Sequence, residues 1–345
     1  MKFISKTFKL LTLLFVVFAF NACSDDDDNT PPPPTLVDIF ATAETNANLT
    51  NLVAALEEAD LDITLQGDGP FTVFAPTNQA LASLLDDLGV STLAEVPDEV
   101  LENVLLNHVI SGETIMASDL ISAGSGYQTT LGEGAEGENL SLYFNVNDGT
   151  VELNGGAANS TDINAGANVT DADIMATNGV VHIVNSVIMP PTIADHALAN
   201  PNLSSLVAAL QLADTGTPSV AGGWVAAVSD PDFGPGSVFA PTNDAFAALL
   251  LELDPTGETE LSDVTPADAD AIIAYHVVAS GNVTSDELTN TTVATLGGDI
   301  ELSADDLTLT DPNGRVSNII PTLVDIQGVN GVVHAIDMVL LPPQD

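Results

Sequence analysis

The chain contains the same unit twice. The stretch NGVVHIVNSVIMPP, from Asn178 to Pro191, returns nearly unchanged as NGVVHAIDMVLLPP, from Asn330 to Pro343. Three further pairs of segments match in the same order: LTNLVAALEEAD with LSSLVAALQLAD, VFAPTNQA with VFAPTNDA, and NHVISG with YHVVASG. A length of 345 residues suits two domains that each bury their own core. The repeat therefore predicts two copies of one folding unit.

Two of these pairs predict helices: first the LTNLVAALEEAD pair, and second the VFAPTNQA pair. Large apolar residues fall at i, i+3, i+4 and i+7 in the first pair: Leu49, Leu52, Val53 and Leu56, then Leu203, Leu206, Val207 and Leu210. In the second pair a β-type run ends at Pro76, and Thr77 can cap a helix. Helical spacing then resumes at Leu81, Leu84, Leu85 and Leu88, and again at Phe246, Leu249, Leu250 and Leu253. A strand thus runs through a turn into a helix in both copies.

The repeated stretch that begins with NGVVH predicts a strand. Asn-Gly begins it, a Pro-Pro pair ends it, and β-branched residues dominate between them. Alternate positions form one apolar face that includes a histidine in each copy: Val180, His182, Val184, Ser186 and Ile188, then Val332, His334, Ile336, Met338 and Leu340. We expect both histidines to be neutral core residues with one or two hydrogen bonds.

The copies differ by two Gly-rich insertions. Copy two gains GTPSVAGGWVAAVSDPDFGPG, and copy one is longer around SAGSGYQTTLGEGAEGEN. Both are expected to be surface loops. Trp224, the only tryptophan, lies in the first of these and is a candidate anchor for a partner or a sugar. Alternatively, it folds back and covers the domain.

The N-terminal region predicts export and a lipid anchor. Three lysines precede the apolar run LLTLLFVVFAF, which is too short to span a bilayer as a mature helix, so residues 1–22 are interpreted as a signal peptide. FNAC ends it, and Cys23 is the only cysteine. This context resembles a bacterial lipobox, which implies lipidation of Cys23; the alternative is ordinary cleavage and a free thiol.

Residues 23–35 predict an extended tether. SDDDDNTPPPPT cannot bury enough apolar surface to fold. Its acidic run resembles the signal that sends lipoproteins of Bacteroidota-like bacteria to the outer face of the outer membrane; the alternative is a solvated spacer. We therefore expect an outer-membrane lipoprotein that faces the cell exterior.

Charge excludes one class of partner. From Cys23 onward, Arg315 is the only lysine or arginine opposite 49 acidic residues. Binding to nucleic acid or to anionic lipid headgroups rests on clustered basic residues, so both are excluded, and contact with the membrane is expected through the lipid anchor alone. Such a surface repels itself at low ionic strength and suits a saline environment.

The ordered motifs resemble those of fasciclin (FAS1) domains: VFAPTN, the YH of Tyr275-His276, and NGVVH followed by Pro. The resemblance covers residues 36 to 345 and implies an α+β fold, in which each domain is a β-wedge of two sheets packed with several helices. It implies FAS1 domains at residues 36–191 and 192–345. Copy one has Asn107 in place of the usual tyrosine, which puts any role of that tyrosine in doubt there.

Two groups of residues follow from the motifs. Tyr275 and His276 of the middle motif are candidate interaction residues, as Trp224 is. The remaining motif residues are expected to be structural: Asn78, His108, His182, Asn243 and His334.

The chain lacks recognisable catalytic motifs. It has no G-x-S-x-G elbow and no H-E-x-x-H zinc motif, and its carboxylates lack the EF-hand pattern. We expect no enzyme activity, no cofactor and no specific metal site. The resemblance implies an adhesion module for extracellular polysaccharide, matrix protein or another cell surface. The alternatives are a small-ligand carrier with an apolar pocket and a cell-surface hydrolase built from residues distant in sequence.

Overall fold

The computed structural model describes residues 36–156 and 166–344. The predicted signal peptide, the predicted lipidation site at Cys23 and the predicted tether lie outside these residues. Copy one contains, in chain order, α1 (Ile39–Glu44), α2 (Thr50–Glu58), α3 (Asp62–Gln66), β1 (Phe71–Pro76), α4 (Asn78–Leu88), α5 (Asp98–Leu106), β2 (Val109–Ser111), α6 (Ala117–Ala123), β3 (Ser125–Glu133), β4 (Asn139–Asn147), β5 (Thr150–Leu153), β6 (Ala167–Ala176) and β7 (Gly179–Val184).

Copy two repeats the helical half and shortens the strands that follow it. Its elements are α7 (Ile193–Ala199), α8 (Ser204–Asp214), α9 (Trp224–Ser229), β8 (Gly236–Pro241), α10 (Asn243–Leu253), α11 (Pro266–Ala274), β9 (Val277–Val278), β10 (Thr291–Ala294), β11 (Asp299–Ser303), β12 (Thr308–Thr310), β13 (Val316–Asn318), β14 (Ile326–Gly328) and β15 (Gly331–Ile336). The predicted strand–turn–helix is confirmed in both copies, since β1 and β8 lead into α4 and α10. Thr77 and Thr242 cap these helices by accepting from the backbone N–H groups of Ala80 and Ala245.

The sheets are mixed, and helices pack on them, as the α+β prediction required. Seven strands of copy one pair in the order β2-β1-β7-β6-β5-β4-β3. Register shifts in β6 between Val169 and Ile174 separate β2-β1-β7 from β5-β4-β3, and bulges of this kind bend a strand. In copy two the strands form two sheets, β14-β15-β8-β9 and β10-β11-β12-β13.

The two end motifs of each copy are neighbours in the sheet. Strand β1 pairs in parallel with β7, from Phe71 opposite Gly179 to Pro76 opposite Val184, and β8 pairs with β15 in the same register. Both closing strands are buried along their whole length, because sheet neighbours flank them and other layers cover both faces. The predicted single apolar face is therefore too narrow a description. The strands also end at Val184 and Ile336, short of the Pro-Pro pairs.

The Gly-rich insertions are not simply surface loops, and that prediction was wrong. The copy-one insertion builds strand β3, which pairs with β4. The copy-two insertion contains helix α9, whose first residue is buried. In both cases the glycines predicted turns, but the segment also contains regular structure that the sequence pattern alone did not reveal.

Copy one contacts copy two along β4 and β14. The Ser141 hydroxyl accepts from the backbone N–H of Gln327 at 2.9 Å, and the Asn282 side chain donates to the Ala135 carbonyl at 3.3 Å. Tyr127 of β3 packs against the apolar cluster of copy two. At the junction, the Val329 N–H donates to the Pro191 carbonyl at 2.8 Å. The copies are therefore joined by direct contacts.

Candidate functional site

His182 and His334 are buried, and each forms hydrogen bonds that hold backbone segments of its domain together. The Nε2–H of His182 donates to the Ile115 carbonyl at 2.8 Å, and its Nδ1 accepts from the Asp173 backbone N–H at 3.2 Å. His334 makes the matching bonds, to the Val283 carbonyl at 2.9 Å and from the Asp325 N–H at 3.3 Å. Each ring also stacks on the phenylalanine opposite it on the parallel strand. The imidazoles therefore join three segments of backbone.

An aspartate accompanies each of these histidines. The Asp173 carboxylate lies 3.9 Å from His182 Nδ1, and the Asp325 carboxylate lies 3.7 Å from His334 Nδ1. Such a pair resembles an acid–base dyad, but each Nδ1 already accepts a backbone N–H, and both rings are fully buried. Burial also lowers the pKa of His182 and of His334, more than their hydrogen bonds and the carboxylates raise it. Both imidazoles are held neutral, away from any substrate.

The aspartates also hold the segment that leaves the middle motif. Asp173 accepts from the Ala117 N–H at 2.8 Å, and Asp325 accepts from the backbone N–H and the hydroxyl of Ser285. Both aspartates have positive φ, at 61° and 55°, a conformation that Asp tolerates better than most residues. Sequence analysis missed them. The signal was available as D-I-x-x-x-N-G-V-V-H in both copies.

Each middle-motif histidine joins the helix that precedes it to the segment that follows the closing strand. His108 Nδ1–H donates to the Val104 carbonyl at 2.7 Å, and its Nε2 accepts from the Ile188 N–H at 2.9 Å. His276 repeats this with Ile272 and Leu340. Burial lowers the pKa of each to about 4. Because His276 is buried with both nitrogens bonded, the structure contradicts its assignment as a candidate interaction residue.

Tyr275 is also buried, so its assignment as a surface contact was wrong. The Gly297-Gly298 turn covers it so closely that a Cβ on Gly297 would lie 2.5 Å from the ring, and a Cβ on Gly298 would lie 2.5 Å from the hydroxyl oxygen. In copy one Asn107 takes this position. Its side chain donates to the Ile188 carbonyl at 3.1 Å and accepts from the Thr130 hydroxyl at 3.2 Å. Thr130 belongs to β3, so the inserted strand provides a polar partner in place of the tyrosine packing.

Trp224 is the third candidate interaction residue that the structure corrects. Its side chain is 0% exposed and packs in the core of copy two. The indole Nε1–H donates to Asp270 at 2.6 Å, and Asp214 accepts from the Trp224 backbone N–H, also at 2.6 Å. Gly223 permits the turn, since its φ is 99° and a Cβ would lie 2.9 Å from the Asp214 carboxylate. The tryptophan covers the domain and offers no surface to a partner.

Asn78 and Asn243 hold the start of a neighbouring helix. Asn78 Oδ1 accepts from the Asn51 N–H at 2.8 Å, and its Nδ2 donates to the Ala47 carbonyl at 2.9 Å. Asn243 accepts from the Ser205 N–H and donates to the Pro201 carbonyl, both at 2.8 Å. The last residue of the VFAPTN motif therefore ties α4 to α2, and α10 to α8.

His196 lies where the two copies meet. Its Nε2–H donates to the Gln327 carbonyl at 3.0 Å, whereas its Nδ1 is buried without a partner among the described residues. The Tyr127 ring of copy one packs edge-on against it, 5.7 Å away, and the Tyr127 hydroxyl accepts from Asn200 at 3.2 Å. Burial lowers the pKa of His196 to about 4 and raises the pKa of Tyr127. Sequence gave no signal for this contact.

Arg315 is engaged within its own domain. Its guanidinium donates to the Val339 carbonyl at 2.7 Å and to Glu252 at 2.9 Å, and lies 3.5 Å from the buried Asp311 carboxylate. Within residues 36–156 and 166–344, no group of three or more histidine, cysteine, aspartate or glutamate residues is arranged to hold a metal. Over the same residues, no helix has the length and apolar character needed to cross a membrane.

Comparison with known proteins identifies the fold. The Fasciclin domain model matches residues 47–190 and residues 202–342. These matches span most of the chain, which therefore belongs to the fasciclin (FAS1) domain family and carries two tandem copies.

Individual relatives match different shares of the chain. Protein sll1483 of Synechocystis sp. is 37% identical over 157 residues, which are 46% of this chain and 74% of that protein. Human periostin is 29% identical over 285 residues, which are 81% of this chain and 29% of periostin. A solved FAS1 domain pair from the insect cell adhesion molecule fasciclin I is 18% identical, with a TM-score of 0.46, over 84% of this chain and 92% of that one.

Proposed function

We propose that this protein is a non-catalytic adhesion module that is lipid-anchored at Cys23 and displayed on the exterior of a bacterial outer membrane. Its FAS1 pair would contact extracellular polysaccharide, matrix protein or another cell surface. The observation that carries the proposal is that both halves of the chain belong to the fasciclin domain family. The sequence of residues 1–35 supports the anchor and the tether.

The chemistry of the described residues favours binding over catalysis. His108, His182, His276 and His334 use both ring nitrogens in bonds to backbone groups. Their burial keeps them neutral and away from solvent. These residues therefore serve the fold, and a binding partner must be recognised by exposed surface.

The charge of that surface limits how it can bind. Arg315 is committed to internal contacts and is the only lysine or arginine among residues 36–156 and 166–344, so these residues cannot hold an anionic partner by direct ion pairing. Divalent cations that bridge carboxylates on both sides are one route to an acidic polysaccharide, and uncharged exposed loops are the route to a neutral one. Trp224 is not available for the second route, because it is buried.

Binding by the soluble fragment 36–345 tests the proposal. We expect it to bind alginate, an acidic polysaccharide, in saline buffer with calcium and magnesium, and to lose that binding in a chelator. Sodium chloride at matched ionic strength is the control for simple screening. If the fragment binds neither acidic nor neutral matrix, while a hydrolase screen detects turnover, the adhesion proposal is wrong.

The anchor has its own test. Cys23→Ala should abolish fatty-acid labelling and leave the protein either unprocessed or released, because no second cysteine can replace the thiol. Unchanged labelling would contradict lipidation at this site and would leave the adhesion test unaffected.

A further inference from the structure

An apolar groove opens on copy two. Its volume is about 450 Å³, and its walls are helix α10, helix α11 and the segment Leu341–Gln344 that follows β15. Large apolar side chains form most of the lining: Phe246, Leu249, Leu250, Leu253, Leu261 and Ile272. This volume falls within the range of small-molecule sites, which are mostly apolar clefts with a few polar groups at the edge.

One difference in side-chain size between the copies lies in the lining of the opening. The copies align without a gap from Leu93 and Leu261 to His108 and His276, which places Ala269 of copy two opposite Leu101 of copy one. Both side chains are buried, at 3% and 2% exposure. Copy one therefore has a larger buried side chain at the position where copy two has an alanine in the groove lining.

The side chains beside this position are more exposed in copy two than in copy one. Beside Leu101, Val96 and Val104 are buried, at 6% and 3% exposure. Their counterparts in copy two, Val264 and Ile272, line the groove and remain partly exposed. Apolar surface left open in this way favours an apolar occupant, because burial of that surface is stabilising.

The rim of the groove carries charge of one sign. Asp263 and Asp268 are its only charged lining residues within the described chain, and both are exposed. Asp263 accepts from the Glu260 N–H at 2.9 Å, and Asp268 accepts from the Thr265 hydroxyl at 2.7 Å. These bonds fix two carboxylates at the mouth. An anionic head would be repelled there, and a cationic head would be attracted.

We propose that the groove binds a small amphipathic molecule in which an apolar chain carries a positively charged head, such as an alkylammonium. The chain lies along the leucines of α10 and the partly exposed side chains of α11, and the head lies near Asp263 and Asp268. This site belongs to copy two alone. Its test is separate from the test of the adhesion role, because it uses neither a matrix nor a polysaccharide.

Calorimetric titration of fragment 36–345 with decyltrimethylammonium, below its micelle concentration, tests the site. About 0.5 M NaCl suppresses general attraction to the acidic surface. We expect one molecule to bind per chain, and Ala269→Leu to weaken binding at least about tenfold by filling the groove as Leu101 does. Ala267→Leu is the matched control, because it is exposed on the same helix outside the lining and should bind as wild type does.

The head group is tested separately. Decyl sulfate should bind at least about tenfold more weakly than the ammonium, since it brings a negative charge to the two carboxylates. Asp263→Asn with Asp268→Asn keeps the shape and should remove most of the preference for the ammonium over uncharged decyl maltoside. This variant decides the question if Ala269→Leu does not fold.

Four results would overturn the proposal. They are no saturable binding to wild type, equal affinity of Ala269→Leu and Ala267→Leu, binding of decyl sulfate as tight as that of the ammonium, and an unchanged preference in the double asparagine variant.

Discussion

Four histidines act as neutral two-way connectors between backbone groups that are distant in sequence. In each, one ring nitrogen donates to a carbonyl and the other accepts an N–H, so only the neutral tautomer satisfies both partners. Protonation would turn the accepting nitrogen into a donor that faces another donor. Burial acts in the same direction, since it disfavours the charged ring. The fold should therefore be sensitive to acid through these residues.

The stability of the fold should fall as the pH drops from about 6.5 toward 4. His108, His196 and His276 have folded-state pKa values of about 4, against 6.5 for an unperturbed imidazole. Within this window the unfolded chain binds protons that the folded chain does not. The stabilising contribution of these histidines is therefore fully present above about pH 6.5, and each of them accounts for a loss of about 3 kcal/mol of unfolding free energy by pH 4. Urea titrations at pH 7, 6 and 5 measure the slope.

Substitution isolates the histidine contribution from that of the many carboxylates. Glutamine at position 108 can donate and accept without titrating in this window, so His108→Gln should lower the slope of unfolding free energy against pH between 6.5 and 5. His276→Gln should do the same in copy two. A slope equal to that of wild type in both variants would contradict the assignment.

Trp224 should matter for stability and not for binding. Trp224→Ala removes a fully buried side chain and should cost about 3–5 kcal/mol of unfolding free energy. Trp224→Phe keeps most of the packing but loses the indole bond to Asp270, and should cost about 1 kcal/mol. Urea unfolding measures both, with the exposed Val225→Ala as control. Loss of matrix binding by a folded Trp224→Phe protein would restore the tryptophan as an interaction residue.

Single residues also mark the limit of prediction from sequence. The buried, bonded state of His182 followed from its place on an apolar strand. Tyr127 and His196 gave no signal, because their contact joins two copies and depends on how the domains pack. The burial of Trp224 depends on Asp214 and Asp270, which lie on two different helices. Partners distant in sequence cannot be read from local pattern.

At the scale of elements, the sequence pattern predicted those helices and strands that are determined by residues close to one another in sequence. Helices α2, α4, α8 and α10 and strands β1 and β8 follow from apolar spacing, a threonine cap and a proline. The insertions did not follow. Strand β3 contains two glycines and is an edge strand, so its pattern resembles a loop, and its state is decided by pairing with β4.

The asparagine that ends the VFAPTN motif should stabilise the helix pair it joins. Asn78→Ala leaves the Asn51 N–H and the Ala47 carbonyl without their side-chain partner, and should cost about 1–2 kcal/mol. Gln79→Ala, one residue further along and exposed, is the control and should be near neutral. Thermal unfolding of fragment 36–345 measures both. Equal shifts in the two variants would argue against a specific tie between α4 and α2.

Asn243 provides the matched test in copy two. Asn243→Ala should cost a similar amount, since it makes the same pair of bonds to the start of α8. Asp244→Ala serves as its exposed control. A large effect in one copy alone would show that the repeated asparagine does not contribute equally to stability in the two copies.

At the scale of the whole molecule, two similar domains are joined by contacts that neither copy makes alone. Each copy has its own apolar clusters, which supports the prediction that fragments 36–191 and 192–345 fold separately. Isolation would nevertheless expose Tyr127 and break the bond between Ser141 and Gln327. We therefore expect each fragment to be less stable than the same domain within the pair.

A single methyl group can test whether this joint contributes to stability. A Cβ on Gly134 would lie 2.7 Å from the Gly328 carbonyl oxygen of the other copy. The backbone of Gly134 has φ of −102°, which alanine adopts without strain. Gly134→Ala should therefore push the two copies apart and lower the stability of fragment 36–345 by about 1–3 kcal/mol.

The same substitution in fragment 36–191 is the control. Gly328 is absent there, and the nearest remaining neighbour is the end of the Leu140 side chain, at 3.0 Å, which can rotate away. Calorimetric unfolding of both proteins should show a loss in the pair, with its single transition broadened or split, and little change in the isolated domain. An equal loss in both would place the strain within copy one. That result would contradict the prediction that a side chain at position 134 meets Gly328 across the contact between the copies.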